Sequence, residues 1–118
     1  MQQLQDLPNL CFTKRALEVL KEDISLTKKA RKESFKVLTF LDKFGPNKDF
    51  IGSKKLKKFS EGWYELRIRD GSNTWRILFR KIGSCTYGIV HMFLKDTNEI
   101  SDRDWKIAKQ LVRSENWI

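Results

Sequence analysis

The sequence predicts an α+β fold in which an N-terminal helical hairpin packs on a small twisted, mainly antiparallel sheet and a C-terminal helix closes the chain. Three observations predict it. Apolar residues recur at helical spacing through the first part of the chain. Three consecutive runs from Trp63 onward alternate with period two and are separated by turns that each contain a glycine, Gly71 and Gly83. Helical spacing then returns after Ser101. At 118 residues the chain has the length of one domain, 1–118, enough for a single modest core.

Residues 1–9 are polar and end in Pro8-Asn9, which reads as a loose lead-in, and Leu10-Cys11-Phe12 as a short strand. Thr13 is the N-cap of a first helix from Lys14 to about Ile24, whose apolar face is Ala16, Leu17, Leu20 and Ile24. A second, longer helix starts near Lys28. It carries Phe35, Val37, Leu38, Leu41 and Phe44 on its inner face, and Gly45-Pro46 stops it. Lys28, Lys29, Arg31 and Lys32 are expected on the solvated side of this pair.

After the basic cluster Ser53–Lys58 come the strands. In Trp63–Arg69, Tyr64, Leu66 and Ile68 face one way while Trp63, Glu65, Arg67 and Arg69 face the other. Asp70-Gly71-Ser72-Asn73 is a hairpin connection. In Thr74–Lys81 the inner set is Trp75, Ile77 and Phe79, against Thr74, Arg76, Leu78 and Arg80. In Thr86–Lys95 strict alternation puts Gly88, Val90, Met92 and Leu94 inside and Tyr87, Ile89, His91, Phe93 and Lys95 outside. Ser101-Asp102-Arg103-Asp104 is a capping box for a helix with Trp105, Ala108, Leu111 and Val112 inward, ending by Ser114. The apolar tail around Trp117 is expected to dock back on the body.

Charge is concentrated. The formal net charge is +9, and residues 51–81 hold 9 Lys/Arg against 3 Asp/Glu. Such a field favours a polyanion or an acidic partner protein. No apolar run is long enough to span a membrane, and the first residues lack the pattern of a signal peptide, so a cytoplasmic location is expected. Cys11 and Cys85 stand far apart, and with 1 His in the chain a Cys/His metal site cannot be built. No cofactor motif is present.

If each apolar side faces the helices, Arg67, Arg69, Arg76, Arg80, His91 and Lys95 share the opposite, exposed face with Trp63, Tyr87 and Phe93. The pairing of acids such as Glu65 with these cations is the competing, purely structural account. A guanidinium cluster with one imidazole suits RNA cleavage by the strand's own 2′-hydroxyl. Arg67 and Arg76 would hold the phosphate oxygens. Lys95, Lys55 or Lys57 is a base whose pKa neighbouring cations would lower, and His91 is the second proton carrier. Lys54, Lys55, Lys57, Lys58, Arg69 and Arg80 would track the backbone, with Trp63 and Phe93 stacking bases. This reading requires Arg67, Arg76 and Lys95 to gather in one shallow hollow; scattering them on different surfaces, or sealing them with carboxylates, would end the case for ribonuclease activity. It also implies that Arg76→Ala abolishes growth inhibition while leaving the protein folded.

The order of segments K-K-L, G-W-Y-E-L-R-I, W-R-I-L-F, I-V-H-M-F-L-K and a helix with A-K-Q-L resembles the RelE/HigB-type toxins of toxin–antitoxin modules, in particular the phage-derived HigB-like branch. The resemblance covers about residues 10–113. It implies a RelE/ParE-like fold and a metal-independent endoribonuclease, an mRNA interferase acting on the ribosome and held inactive by a co-encoded antitoxin. By position it places the catalytic set at Arg67, Arg76, His91 and Lys95, with the basic K-x-L residue at Lys55 or Lys57. Asp96 stands where many relatives have a second Lys, and no Tyr follows Lys95. A ParE-like gyrase inhibitor and a non-catalytic phage nucleic-acid-binding protein are the alternatives.

Overall fold

The computed structural model describes residues 2–83, 86–94 and 99–117. Ten elements follow one another along them: β1 (Gln2–Leu4), β2 (Leu7–Phe12), α1 (Lys14–Glu22), α2 (Lys28–Phe44), α3 (Lys48–Ile51), β3 (Leu56–Lys58), β4 (Trp63–Asp70), β5 (Asn73–Lys81), β6 (Tyr87–Leu94) and α4 (Asp102–Ser114). The strands form one sheet in the order β1-β2-β6-β5-β4-β3. Only the β2–β6 pairing is parallel; the other neighbours run antiparallel. The α+β class and the helical pair therefore stand as the alternation and caps predict.

The start of the chain departs from expectation. Residues assigned to a loose lead-in form β1 and the first half of β2, which extends the expected Leu10–Phe12 strand backwards, so the sheet, not the helical hairpin, begins the chain. Pro8 and the paired glutamines hide the signal, because they are poor strand formers, yet Leu7 is 3% exposed and anchors the segment in the core.

The helices begin and end for local reasons. Thr13 Oγ1 accepts from the Ala16 amide at 3.0 Å and Thr27 Oγ1 from the Ala30 amide at 3.1 Å, each cap contributing about 1 kcal/mol. Gly45 supplies the positive φ of 71° at the end of α2, and its amide donates to the Leu41 carbonyl. Arg31 is not solvated as expected. Its Nε and terminal nitrogen donate to the carbonyls of Leu20 and Asp23, both at 2.8 Å, so α2 caps the end of α1.

Both helices lie on one face of the sheet. There Leu17, Leu20, Leu38 and Leu41 meet Leu66, Ile68, Ile77 and Phe79 in the larger core. The opposite face carries a smaller core, in which Trp63, Leu78 and Val90 meet Ala108 and Val112 of α4. This second face was expected to be open; α4 covers part of it.

Strict alternation fails in β6. Phe79 is in register with Ile89 and Leu78 with His91, leaving Val90 as the extra residue of a β-bulge. Its carbonyl accepts from Thr13 Oγ1 at 2.7 Å, which ties the bulge to the start of α1. As a result Ile89 and Tyr87 belong to the helical-hairpin side with Met92, whereas Val90 packs under α4. Gly88 also faces α4. A Cβ there would come within 2.7 Å of the Trp117 ring, so the tail docks only because the residue is glycine.

Candidate functional site

Register lines up the charged residues of the second face in rows across the sheet. One row runs Lys57, Glu65, Leu78, His91, and the next runs Arg67, Arg76, Phe93. A third runs Trp63, Arg80, Gly88. Arg67 and Arg76 share a face, as the alternation predicts, and the register of β4 with β5 sets them directly across from one another.

Glu65 holds both. Arg76 donates a terminal nitrogen to Oε2 at 3.0 Å and to Oε1 at 3.2 Å, and Arg67 Nε donates to Oε1 at 2.6 Å. Glu65 is 0% and Arg76 3% exposed. Two guanidiniums around one carboxylate leave a net positive cluster, and burial makes each pairing costly to break. The expectation of an exposed Arg76 is corrected: its charge is committed to Glu65, and a phosphate would have to displace a buried carboxylate to reach it. The Arg67 side chain is 30% exposed and gives the carboxylate its Nε, so of the two guanidiniums it is the one that reaches the surface.

His91 is also interior, at 2% exposure. Its Nε2 lies 3.0 Å from Asp104 Oδ1, while Ser101 Oγ donates to Asp104 Oδ2 at 2.7 Å and accepts from the Asp104 amide at 3.1 Å. The capping box of α4 therefore also orients the carboxylate that holds the imidazole. Burial is the largest influence and pushes the His91 pKa below its ordinary 6.5, against the pull of Asp104. The neutral ring then donates from Nε2, and its buried Nδ1 has no hydrogen-bond partner among the described residues. Phe93 stacks on the imidazole with centroids 4.6 Å apart. His91 and Phe93 line a groove of about 720 Å³ between α1 and α4, with Arg15, Ser101, Arg103 and Asp104.

The remaining predicted residues divide. Lys57 and Arg69 are exposed, Lys57 extending its ammonium over the Phe59 ring at 5.0 Å. Lys54 is exposed just before β3, and Lys58, in register with Tyr64, lies on the other side of the sheet. Lys55 pairs with Glu33 of α2, and that contact holds the Glu33 pKa down. Arg80 sits 5.3 Å over the Trp63 ring, and Trp63 itself is 4% exposed beneath α4. Trp63 and Arg80 are thus part of the α4 contact and do not join the Arg67 cluster. Lys95, like Cys85, falls outside the described residues. Sequence reasoning read Glu65 only as a neutralising acid and Asp104 only as a capping residue. For Glu65, period two already gave the signal, since it alternates in phase with Arg67.

Among the described residues no group of three His, Cys, Asp or Glu side chains could hold a metal ion, and no helix is long and apolar enough to cross a membrane. No curated protein and no solved structure matches the chain. A family model does match, over residues 22–113, from the end of α1 through the sheet's central strands to α4. With the paired arginines, the His91–Asp104 contact and the covering helix all inside that span, the chain belongs to the family described as phage-derived protein Gp49-like (DUF891).

Proposed function

We propose that the chain, as a single RelE/HigB-like domain over residues 1–118, is the toxin of a phage-derived toxin–antitoxin module. Its target is mRNA, cut on the ribosome as a metal-independent endoribonuclease, and a co-encoded antitoxin silences it in the cytoplasm. The observation that carries this reading is the co-facial Arg67–Arg76 pair held on Glu65 beside Phe93. It keeps positive charge fixed where a phosphodiester would lie, with both arginines inside the basic segment 51–81.

The chemistry divides among the residues by exposure. Arg67 offers its terminal nitrogens to the phosphate, with Lys57 and Arg69 along the path of the strand. Arg76 and Glu65 are positioning residues that hold Arg67 without touching the substrate. Phe93 supplies a ring against which an unpaired base stacks. Proton transfer falls to Lys95, by the resemblance, and to His91, which burial keeps neutral and able to accept at Nδ1 from a group entering its groove.

A second reading has a specific observation in its favour. Glu65, Arg76 and His91 are 0%, 3% and 2% exposed, and sealing of the arginines by carboxylates, met by Arg76 but not by the 30% exposed Arg67 side chain, is what the sequence reading named as ending the case for cleavage. A non-catalytic nucleic-acid-binding protein would carry the same network as scaffolding.

Induced expression followed by primer-extension mapping of cellular mRNA separates the two. New 5′ ends together with growth arrest are expected. Arg67→Ala should remain folded, because Glu65 keeps Arg76, and should lose both effects. Intact mRNA under full expression of the folded chain would leave the binding reading in place.

A further inference from the structure

The Arg67 end of the second face carries the proposed chemistry; the opposite end, where α4 crosses the turn between β3 and β4, has a separate set of features. A groove of about 560 Å³ there is floored by Phe59, Trp63 and Trp105 and edged by Lys106, Lys109 and Arg113. A smaller hollow of about 330 Å³ adjoins it, sharing Trp63, Lys109 and Arg113 and adding Arg80. The first volume lies in the range of sites that take small ligands or single residues of a polymer.

The rings are fixed. Trp105 meets Phe59 edge to face at 5.2 Å and Trp63 at 5.5 Å, and both Phe59 and Trp105 are only half-buried. The cations form one stripe of α4, at spacings of three and four residues, about 10 Å long from Lys106 to Arg113. All three are exposed, and none makes an ion pair among the described residues. Glu61 and Asp102 are the acids in the lining, against Arg80, Lys106, Lys109 and Arg113. An ordinary solvated helix face would be convex and floored by nothing. Here the cations rim a concavity whose base is aromatic.

We propose that this groove is a binding site for single-stranded RNA. A base stacks against the half-buried Phe59 and Trp105 rings, and the α4 stripe with Arg80 follows the phosphates. Lys57, whose ammonium lies over Phe59, joins the groove to the Arg67 row, so one strand can run from the groove to the cluster. The choice of RNA rests on the mRNA-directed reading above; the stacking floor and cationic rim do not. Stacking on a ring and tracking a backbone with cations are the two parts of sequence-tolerant single-strand binding.

The test uses a fluorescently labelled uridine oligonucleotide in 2′-O-methyl form, which binds as a single strand but cannot be cut through its 2′-oxygen. Binding is followed by anisotropy across a salt series. Lys106→Glu combined with Lys109→Glu should weaken binding about tenfold or more, and should reduce the salt slope by about 1.4, the value for two lost phosphate contacts on a single strand. Lys28→Glu with Lys29→Glu, the same charge change on the α2 side, should leave affinity unchanged. Trp105→Phe, chosen to keep the aromatic packing, should diminish the quenching of tryptophan fluorescence by the strand. Equal losses from both double charge reversals would reduce the effect to net charge and overturn the site. Competition by polyglutamate as effective as by the oligonucleotide would make the groove a docking surface for an acidic protein and overturn it as well. Because the probe cannot be cleaved, intact cellular mRNA with groove-dependent binding defeats the cleavage reading alone. Cleavage without groove-dependent binding defeats this one alone.

Discussion

At the scale of single residues, the commitment of Arg76 to Glu65 changes what its removal would do. An open strand face would tolerate Arg76→Ala; the observed pairing does not, because a fully buried carboxylate would lose its main partner. The expected cost is about 3–5 kcal/mol, read as a lower urea midpoint at unchanged slope. Glu65→Gln with Arg76→Met, which removes both charges, should restore much of that loss. His91 gives a second residue-level prediction. Its folded pKa is depressed, chiefly by burial, so below the ordinary 6.5 the unfolded chain binds a proton that the folded chain resists. Stability is therefore full above that value and should fall as the pH is lowered through it. The slope should vanish in His91→Gln, which unfolding curves at neutral and mildly acid pH would show; an unchanged slope would mean that the imidazole is not the responsible group. That Arg67 and Arg76 share a face was legible from alternation; that they stand directly across from one another depends on the β4–β5 register, which alternation does not set. Their closure by Glu65 was legible only as a possibility of pairing, because burial depends on which element covers the face, and no local pattern in β4 or β5 says that.

At the scale of elements, the bulge at Val90 is where local and tertiary preference part. The segment Tyr87–Leu94 reads as plain alternation, and that reading slips at Val90, whose carbonyl is held by Thr13 Oγ1 at the start of α1, so that Tyr87, Gly88, Ile89 and Val90 all fall on the side opposite to the one expected. A contact 77 positions away in sequence has no signature in a window of eight. The helices, by contrast, were readable from Thr13, Thr27, Gly45 and Ser101, since caps are local chemistry. β1 and the first half of β2 were not, because their polar residues and Pro8 make them strands only by virtue of the neighbours they join, whereas Leu10-Cys11-Phe12 was readable as a strand. The seat of the tail offers an element-level test. Gly88→Val would drive a side chain into the Trp117 ring, now 2.7 Å from where its Cβ would stand. The expected destabilisation is about 1–3 kcal/mol, and Trp117→Ala in the same chain should relieve part of it. Purely additive effects of the two substitutions in thermal unfolding would show that the ring and the glycine do not meet.

For the molecule as a whole, one sheet separates two unequal cores, the larger under α1 and α2 and the smaller under α4. Leu66 belongs to the larger and is 0% exposed. Leu66→Asp should therefore abolish cooperative unfolding, since it places an unpaired carboxylate among apolar side chains. A sharp melting transition in that variant would contradict the assignment of the core. The same arrangement allows charge on the second face to vary while the larger core remains whole, which is why exposed substitutions such as Lys106→Glu are expected to fold.

The parallel pairing of β2 with β6 joins the first dozen residues to a strand that is synthesised some eighty residues later. A nascent chain can form its helical pair and the β4–β5 hairpin early, but it must hold β2 without a partner until Tyr87–Ile89 emerge, and must leave Trp63 and Leu78 bare until α4 follows. The part of the protein that assembles last is therefore the part that closes over the smaller core. A ribosome stalled before α4 would display a half-built sheet with its apolar side uncovered, a natural substrate for chaperones and proteases before the chain is competent for anything else.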